Sequence, residues 1–425
     1  MHNDMPKETL SQLADTLIGN QIVKMNGEIR GMIDKGERVF NFTVGDFDTK
    51  VFPIPEALES AIHLAYQQKQ TNYPLGEGDA GLREAIRQMV EKREGLSYGL
   101  DEILVAAGGR PLIYTLFRTI VDPGDKVIYP VPSWNNNHYA HFVEARHCTI
   151  EVSAETNFHP TAEQIRPHLE GASLLALSSP LNPTGTVIPK EQLKAIAELV
   201  VEENNRRAAG QKKLYIMYDQ IYGMLTFNGF DHYNPVSLCP AARPYVVFVD
   251  GISKCFAATG VRVGWSLAPA HVIGKMKAIL SHVGAWAPTA EQKATASFLK
   301  NGDAVDAFMV PFLDGIRNRL QAIASGMEGL KKDGFAVDVI APQAAIYLSV
   351  QFNLKGKRTA EGRTLDTQEA VTDYLLKNAR LAIVPFPIFG AAPDSSWYRL
   401  SVGNSRLEDI PEMMDRLHAA LSSLA

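Results

Sequence analysis

The stretch Ser253–Trp265, SKCFAATGVRVGW, comes shortly after an apolar run, Tyr245 to Val249, that reads as a buried strand. Lys254 is thereby placed just past a strand end, with small and apolar residues behind it. An amine in such surroundings loses solvation of its charged form. Its pKa falls, and it becomes fit to form a Schiff base with a carbonyl compound. Taken alone the pattern is weak, because lysines are mostly solvated surface charges, so its neighbours along the chain decide the reading.

Working outward, short apolar runs alternate with helical patterns. Pro111 to Ile120 reads as helix, Lys126 to Tyr129 as strand, Ser133 to Glu144 as helix, and Ser173 to Ser178 and Leu214 to Tyr218 as further strands. In the first helix, Leu112, Ile113, Leu116, Phe117 and Ile120 share one face behind a proline in the first turn. Alternation of this kind predicts an α/β fold: a mostly parallel sheet, of the seven-stranded type, sandwiched by helices. The pattern changes near Pro311, with a helix to Lys332, a strand over Ala345–Phe352, a polar loop over Asn353–Asp366 and two more helices. A smaller α+β domain formed by the two chain ends is expected there. The division is 1–50 as an N-terminal arm and part of the small domain, 51–310 as a large ligand-binding domain, and 311–425 as the small C-terminal domain. The helical Ser11 to Ile33 falls in the arm.

The chain has 425 residues, 46% of them hydrophobic, enough for two or three domains with large cores. With 42 basic and 47 acidic residues its formal charge is −5, and no basic run offers a nucleic-acid footprint. No run approaches the ~18 apolar residues of a membrane span. The polar start, MHNDMPKETL, points to the cytoplasm. Cys148, Cys239 and Cys255 are too few and too scattered for a disulfide framework or a paired metal site. No metal is expected.

Four other stretches stand at predicted strand ends or glycine turns. SSPLNPTG, Ser178–Gly185, is turn chemistry, and Asp219 in YDQIYG, Tyr218–Gly223, could be an ordinary helix cap. AAGGRPLIY, Ala106–Tyr114, sets two glycines before a proline-led helix, which leaves backbone N–H groups free to approach an anion. It lacks the Gly-x-Gly-x-x-Gly and Walker lysine patterns of nucleotide loops. Arg399 in WYRLSVGNS lies in a strand-like run, where a surface ion pair is the plain alternative.

Ser253, Lys254, Phe256, Gly260, Arg262 and Gly264 stand at the spacing of the Ser-Lys-x-Phe-x-x-x-Gly-x-Arg-x-Gly signature. The chain resembles the class I/II aminotransferases, aspartate aminotransferase-like enzymes of fold type I that use pyridoxal 5'-phosphate. The resemblance implies that Lys254 carries the cofactor as a Schiff base and later moves the proton. Arg262, Ser253, Gly108, Gly109 and Arg110 hold the phosphate. Asp219 pairs with the pyridine nitrogen, Asn182 and Tyr222 hydrogen-bond the phenolic oxygen, and Trp134 stacks on the ring. Arg399 grips the substrate α-carboxylate beside the backbone of Gly45, whose VGDFD turn departs from relatives that have a proline nearby. Tyr73 reaches the phosphate of a neighbouring subunit, which implies a homodimer with shared sites.

Implied substrates are an aspartate- or aromatic-type L-amino acid and a 2-oxo acid such as 2-oxoglutarate. A C–S β-lyase on the same fold is the alternative. A second cation for a dicarboxylate is sought at Arg110 or Lys293. Asn137, one turn from Trp134, is expected to face the pocket, Ala344 to narrow it, and Trp286 to lie in the interface loop.

Overall fold

The computed structural model describes residues 10–17, 19 and 21–425. Among the described residues the central sheet has seven strands. They are β1 (Ile103–Ala106), β2 (Lys126–Val131), β3 (Arg146–Glu151), β4 (Ala172–Ser178), β5 (Tyr215–Asp219), β6 (Val246–Gly251) and β7 (Gly264–Leu267). Their spatial order is β1-β7-β6-β5-β4-β2-β3, and β7 alone of these runs against the rest. The mostly parallel sheet expected from the alternating pattern is therefore present. Its antiparallel member lies inside the stretch Ser253–Trp265 and onward, where the glycine-rich spacing masks a strand.

Continuous apolar runs suit strands covered on both faces. Leu174, Ala176, Met217, Val247 and Val249 enter one core, while Leu175, Leu177, Ile216, Val246 and Phe248 enter the other. The first core is closed by helix Gly109–Ile120, which buries Leu112, Ile113, Leu116, Phe117 and Ile120, and by helix Ala270–Val283. Burial of each such side chain contributes roughly 1.5–3 kcal/mol. The helix starts two residues before Pro111, at Gly109, so the glycines form its N-terminus.

A four-stranded antiparallel sheet makes the smaller layer, in the order Val384–Pro385, Trp397–Ser401, Tyr347–Phe352, Val337–Val339. Arg399 pairs with Ser349, and Tyr347 pairs with Ser401, which puts Arg399 and Tyr347 on one face as diagonal neighbours. Phe40–Asn41 pairs in parallel with Leu381–Ala382, and Ser401 N donates to Phe42 O at 2.9 Å. The segment leading to Gly45 therefore lies along the C-terminal strands. Helix Gly302–Lys332 contains Pro311 in its interior and runs through position 310, so the boundary expected there falls inside a helix. The expected helix Ser133–Glu144 shortens to Asn136–Phe142. Within the arm, the expected helix Ser11 to Ile33 splits into Gln12–Asp15 and Gln21–Asp34, and residues 18 and 20 lie outside the described residues. Among the described residues no helix is long and apolar enough to cross a membrane.

Candidate active site

Open α/β sheets offer ligand sites beyond the carboxyl ends of their parallel strands. Here β4 ends at Ser178, β5 at Asp219, and β6 leads directly into the short helix Ile252–Cys255 that carries Lys254. β1 leads to Gly108 and Gly109, and β2 to Trp134. Above these ends is a cavity of about 690 Å³ that the small sheet closes with Tyr347 and Arg399. Gly45, Gly109, Arg110, Trp134, Asn182, Asp219, Tyr222, Ser253, Lys254 and Arg262 also line it.

Lys254 Nζ donates to Gly45 O at 2.6 Å. Burial pulls its pKa down to about 8, with Asp46 opposing the shift and Arg399, Arg110 and Arg262 adding to it. Asp219 is pushed up to about 7 by burial, against the Ile221 N–H that its carboxylate accepts at 3.1 Å. Arg399 is 1% exposed; its Nη1 donates to Asn182 Oδ1 at 3.0 Å and its Nη2 to Thr43 O at 2.5 Å. Its guanidinium carbon lies 4.9 Å from the ring centres of both Tyr347 and Phe389. Its Nε has no hydrogen-bond partner among the described residues, nor does any of their carboxylates pair with it. A buried cation without a counter-charge is costly, so this geometry calls for an anion from outside the chain.

At the opposite end, Arg262 donates to Thr259 O and Ala107 O, both at 2.7 Å, and no carboxylate of the described residues pairs with it. Helix Gly109–Ile120 begins without a capping side chain, because Gly108 is its N-cap. Its first N–H groups and dipole are thus available to an anion. Gly108 has φ +84°, and a Cβ there would collide with the Arg262 guanidinium, so the turn and the arginine both require glycine.

The profile of the aminotransferases of class I and II matches residues 37–417. The chain belongs to that family. The aminotransferase is 28% identical over 411 residues to an aspartate aminotransferase of Rhizobium meliloti, covering 96% of this chain and 94% of that protein. It is 30% identical over 343 residues to the aspartate/prephenate aminotransferase of Thermus thermophilus, covering 80% of this chain and 83% of that protein. A crystal structure of an aspartate aminotransferase from Rhizobium meliloti aligns with a TM-score of 0.89 at 25% identity, over 98% of this chain and 100% of that one. The chain is accordingly a pyridoxal-phosphate-dependent transaminase of fold type I.

The residues of this aminotransferase fit that cofactor. A buried amine meets an aldehyde's requirement, the uncapped helix and Arg262 meet a phosphate's, and the Asp219 carboxyl stands at a strand end in the same cavity. Two of the expected residues do not line it. Gly108 lies beneath Arg262, and Tyr73 is 89% exposed, its ring 6.0 Å from that of Trp286 outside the cavity. Three secondary expectations are corrected. Asn137 is exposed and Asn136 lines the cavity, because the helix starts at Asn136 and turns its first residue inward. Ala344 is buried behind the wall. Lys293 is held by Asp79 at 2.5 Å, away from the site. Sequence reasoning missed Asp46, Tyr139 and Tyr347 in the lining; the strand expected over Ala345–Phe352 gave the element that carries Tyr347 but not the direction of its side chain.

Proposed function

We propose that this transaminase takes the amino group from a dicarboxylic, aspartate-type L-amino acid and gives it to a 2-oxo acid such as 2-oxoglutarate. The observation that carries the reading is the pair of arginines without carboxylate partners among the described residues, buried Arg399 and exposed Arg110, lining one cavity with Lys254. A substrate with two carboxylates can engage both. Aromatic donors are the second reading, favoured by Trp134, whose ring lies 5.8 Å from the Arg110 guanidinium carbon.

When bound, pyridoxal phosphate supplies an aldehyde for the amino group and a ring that withdraws electrons from the substrate Cα. Arg262, Ser253 and the N–H groups at Gly109 and Arg110 hold its phosphate. Asp219 would pair with the ring nitrogen and hold it cationic, the ring's positive charge in turn keeping the carboxylate ionised against the burial that raises its pKa to about 7. Tyr222 donates to the phenolic oxygen. Asn182 does the same through Nδ2, since its Oδ1 is taken by Arg399. Arg399 fixes the α-carboxylate, which sets the orientation of the Cα–H bond. Lys254 Nζ takes that proton and returns it, a role suited to an amine with pKa about 8.

The exposed Tyr73, with Leu75 59% exposed beside it in sequence, supports a homodimer in which a second copy covers this surface. Cytoplasmic location is part of the same proposal. So is the division into 1–50, 51–310 and 311–425, with helix Gly302–Lys332 as the continuous link.

A donor screen tests the substrate reading. Aspartate or glutamate should convert the visible absorbance of the loaded enzyme, and 2-oxoglutarate should restore it. Conversion by apolar amino acids alone would refute dicarboxylate preference. Release of pyruvate with ammonia or a thiol from cysteine conjugates would assign a lyase.

A further inference from the structure

We infer that Tyr347 is a positioning residue that turns the proton of the Tyr222 hydroxyl into the cavity. Tyr347 begins strand Tyr347–Phe352 and is 1% exposed. Its hydroxyl lies 2.6 Å from that of Tyr222, with the rings edge to face at 5.5 Å. Each phenol carries one proton, and burial raises both above the ordinary value, so both are neutral at pH 7.

Proton direction in such a pair follows from the acceptors available to each partner. Around the Tyr347 hydroxyl stand the backbone of Gly45, where an added Cβ would come within 2.7 Å, and the Arg399 guanidinium, which only donates. Among the described residues its one hydrogen-bond partner is the Tyr222 oxygen. Tyr347 also lines the cavity, but the reverse arrangement would turn its proton toward the guanidinium, which offers no acceptor, so the Tyr347 proton goes to Tyr222. Tyr222 lines the cavity, and its own proton is left to point there. The charged groups that face the pair are Arg399, Asp219 and Asp46.

Tyr347 has little freedom to turn away. Gly185, at φ +72° in the Asn182–Gly185 turn, packs so closely on the Tyr347 carbonyl that a Cβ would overlap it. Arg399 lies against the ring itself. One tyrosine thus supports both the carboxylate clamp and the hydroxyl donor. The inference rests on the proposed reading that Tyr222 donates to the phenolic oxygen of the cofactor.

The test is a pH titration of the visible absorbance of the cofactor-loaded protein without substrate, in Tyr347→Phe, Tyr222→Phe and the double variant. Tyr347→Phe leaves the Tyr222 proton free to turn away and so weakens one donor to a phenolate, which should raise the midpoint by up to about 0.5–1 pH unit. Tyr222→Phe should raise it at least as far, and the double variant no further than Tyr222→Phe, since Tyr347 acts only through Tyr222. Phenylalanine keeps the ring under Arg399, and a thermal melt of each variant reports packing separately. A midpoint unmoved in Tyr347→Phe but raised in Tyr222→Phe, or shifts that add in the double variant, overturns the inference. A midpoint unmoved in Tyr222→Phe overturns the cofactor-site reading, and the inference with it.

Discussion

Replacing Arg399 by lysine keeps a positive charge and removes the planar fork. In the structure, Nη1 and Nη2 each make one bond to the protein, while Nε is buried and unmatched among the described residues. A carboxylate entering beside it can form two parallel N–H to oxygen bonds, each worth about 1.5–3 kcal/mol when charge-assisted. Lysine retains one of the two, so kcat/KM should fall about 10–150-fold at ~1.4 kcal/mol per decade. Alanine loses both, and the fall should reach roughly 10²–10⁴-fold. The Asn182 side chain also loses its donor, so each variant is loaded with cofactor and checked by its visible absorbance before steady-state assay. Arg399 is assigned to the substrate and Arg262 to the phosphate, so cofactor affinity should change little. An Arg399→Lys enzyme with unchanged kcat/KM, or one that loses cofactor as readily as an Arg262 variant, would refute the assignment.

Other outcomes follow from the same geometry. Lys254→Ala should lower turnover by at least about 10²–10⁴-fold, and borohydride should no longer attach the cofactor to the chain, as mass spectrometry can show. In cofactor-free protein, Asp219 binds protons more tightly when folded, its pKa being about 7 against 3.8. Stability should therefore fall as pH rises between those values, and urea titrations should show a shallower slope for Asp219→Asn. Lys254 has the opposite sign. Folding depresses its pKa from 10.5 to about 8, so stability should rise with pH across that window, and Lys254→Met should remove this rise. Gly108→Ala forces a Cβ into the left-handed region against Arg262 and should cost about 1–3 kcal/mol by urea midpoint, with weaker cofactor retention.

The sheet and most of the cavity were legible because strand ends announce themselves locally. Ser178, Asp219 and Lys254 each stand at or just past an apolar run with turn or glycine chemistry after it, and the folded strands end within two residues of where the runs do. The small layer was harder. Tyr347 carries no turn signal and reaches the cavity through pairing with a strand far along the chain, while Asp46 stands in the VGDFD turn that was read only for Gly45. Proline misled twice in opposite ways. Pro111 sits inside a helix already begun by glycines, and Pro311 sits in the interior of a helix that packing sustains despite the lost N–H. β7 was hidden because glycine at its start, forced by the close backbone of Gly108, depresses strand propensity.

The pairing of Phe40–Asn41 with Leu381–Ala382 has a bearing on how the molecule is made. Gly45 reaches Lys254 only while that early strand is zipped to one synthesised 341 positions later. A nascent chain that has passed Leu267 but not reached the late strand holds all seven strands of the central sheet, yet it cannot roof the reactive lysine. Catalytic competence therefore waits on the late strand, and chains stopped between Leu267 and Leu381 carry an amine with no enclosure to direct it.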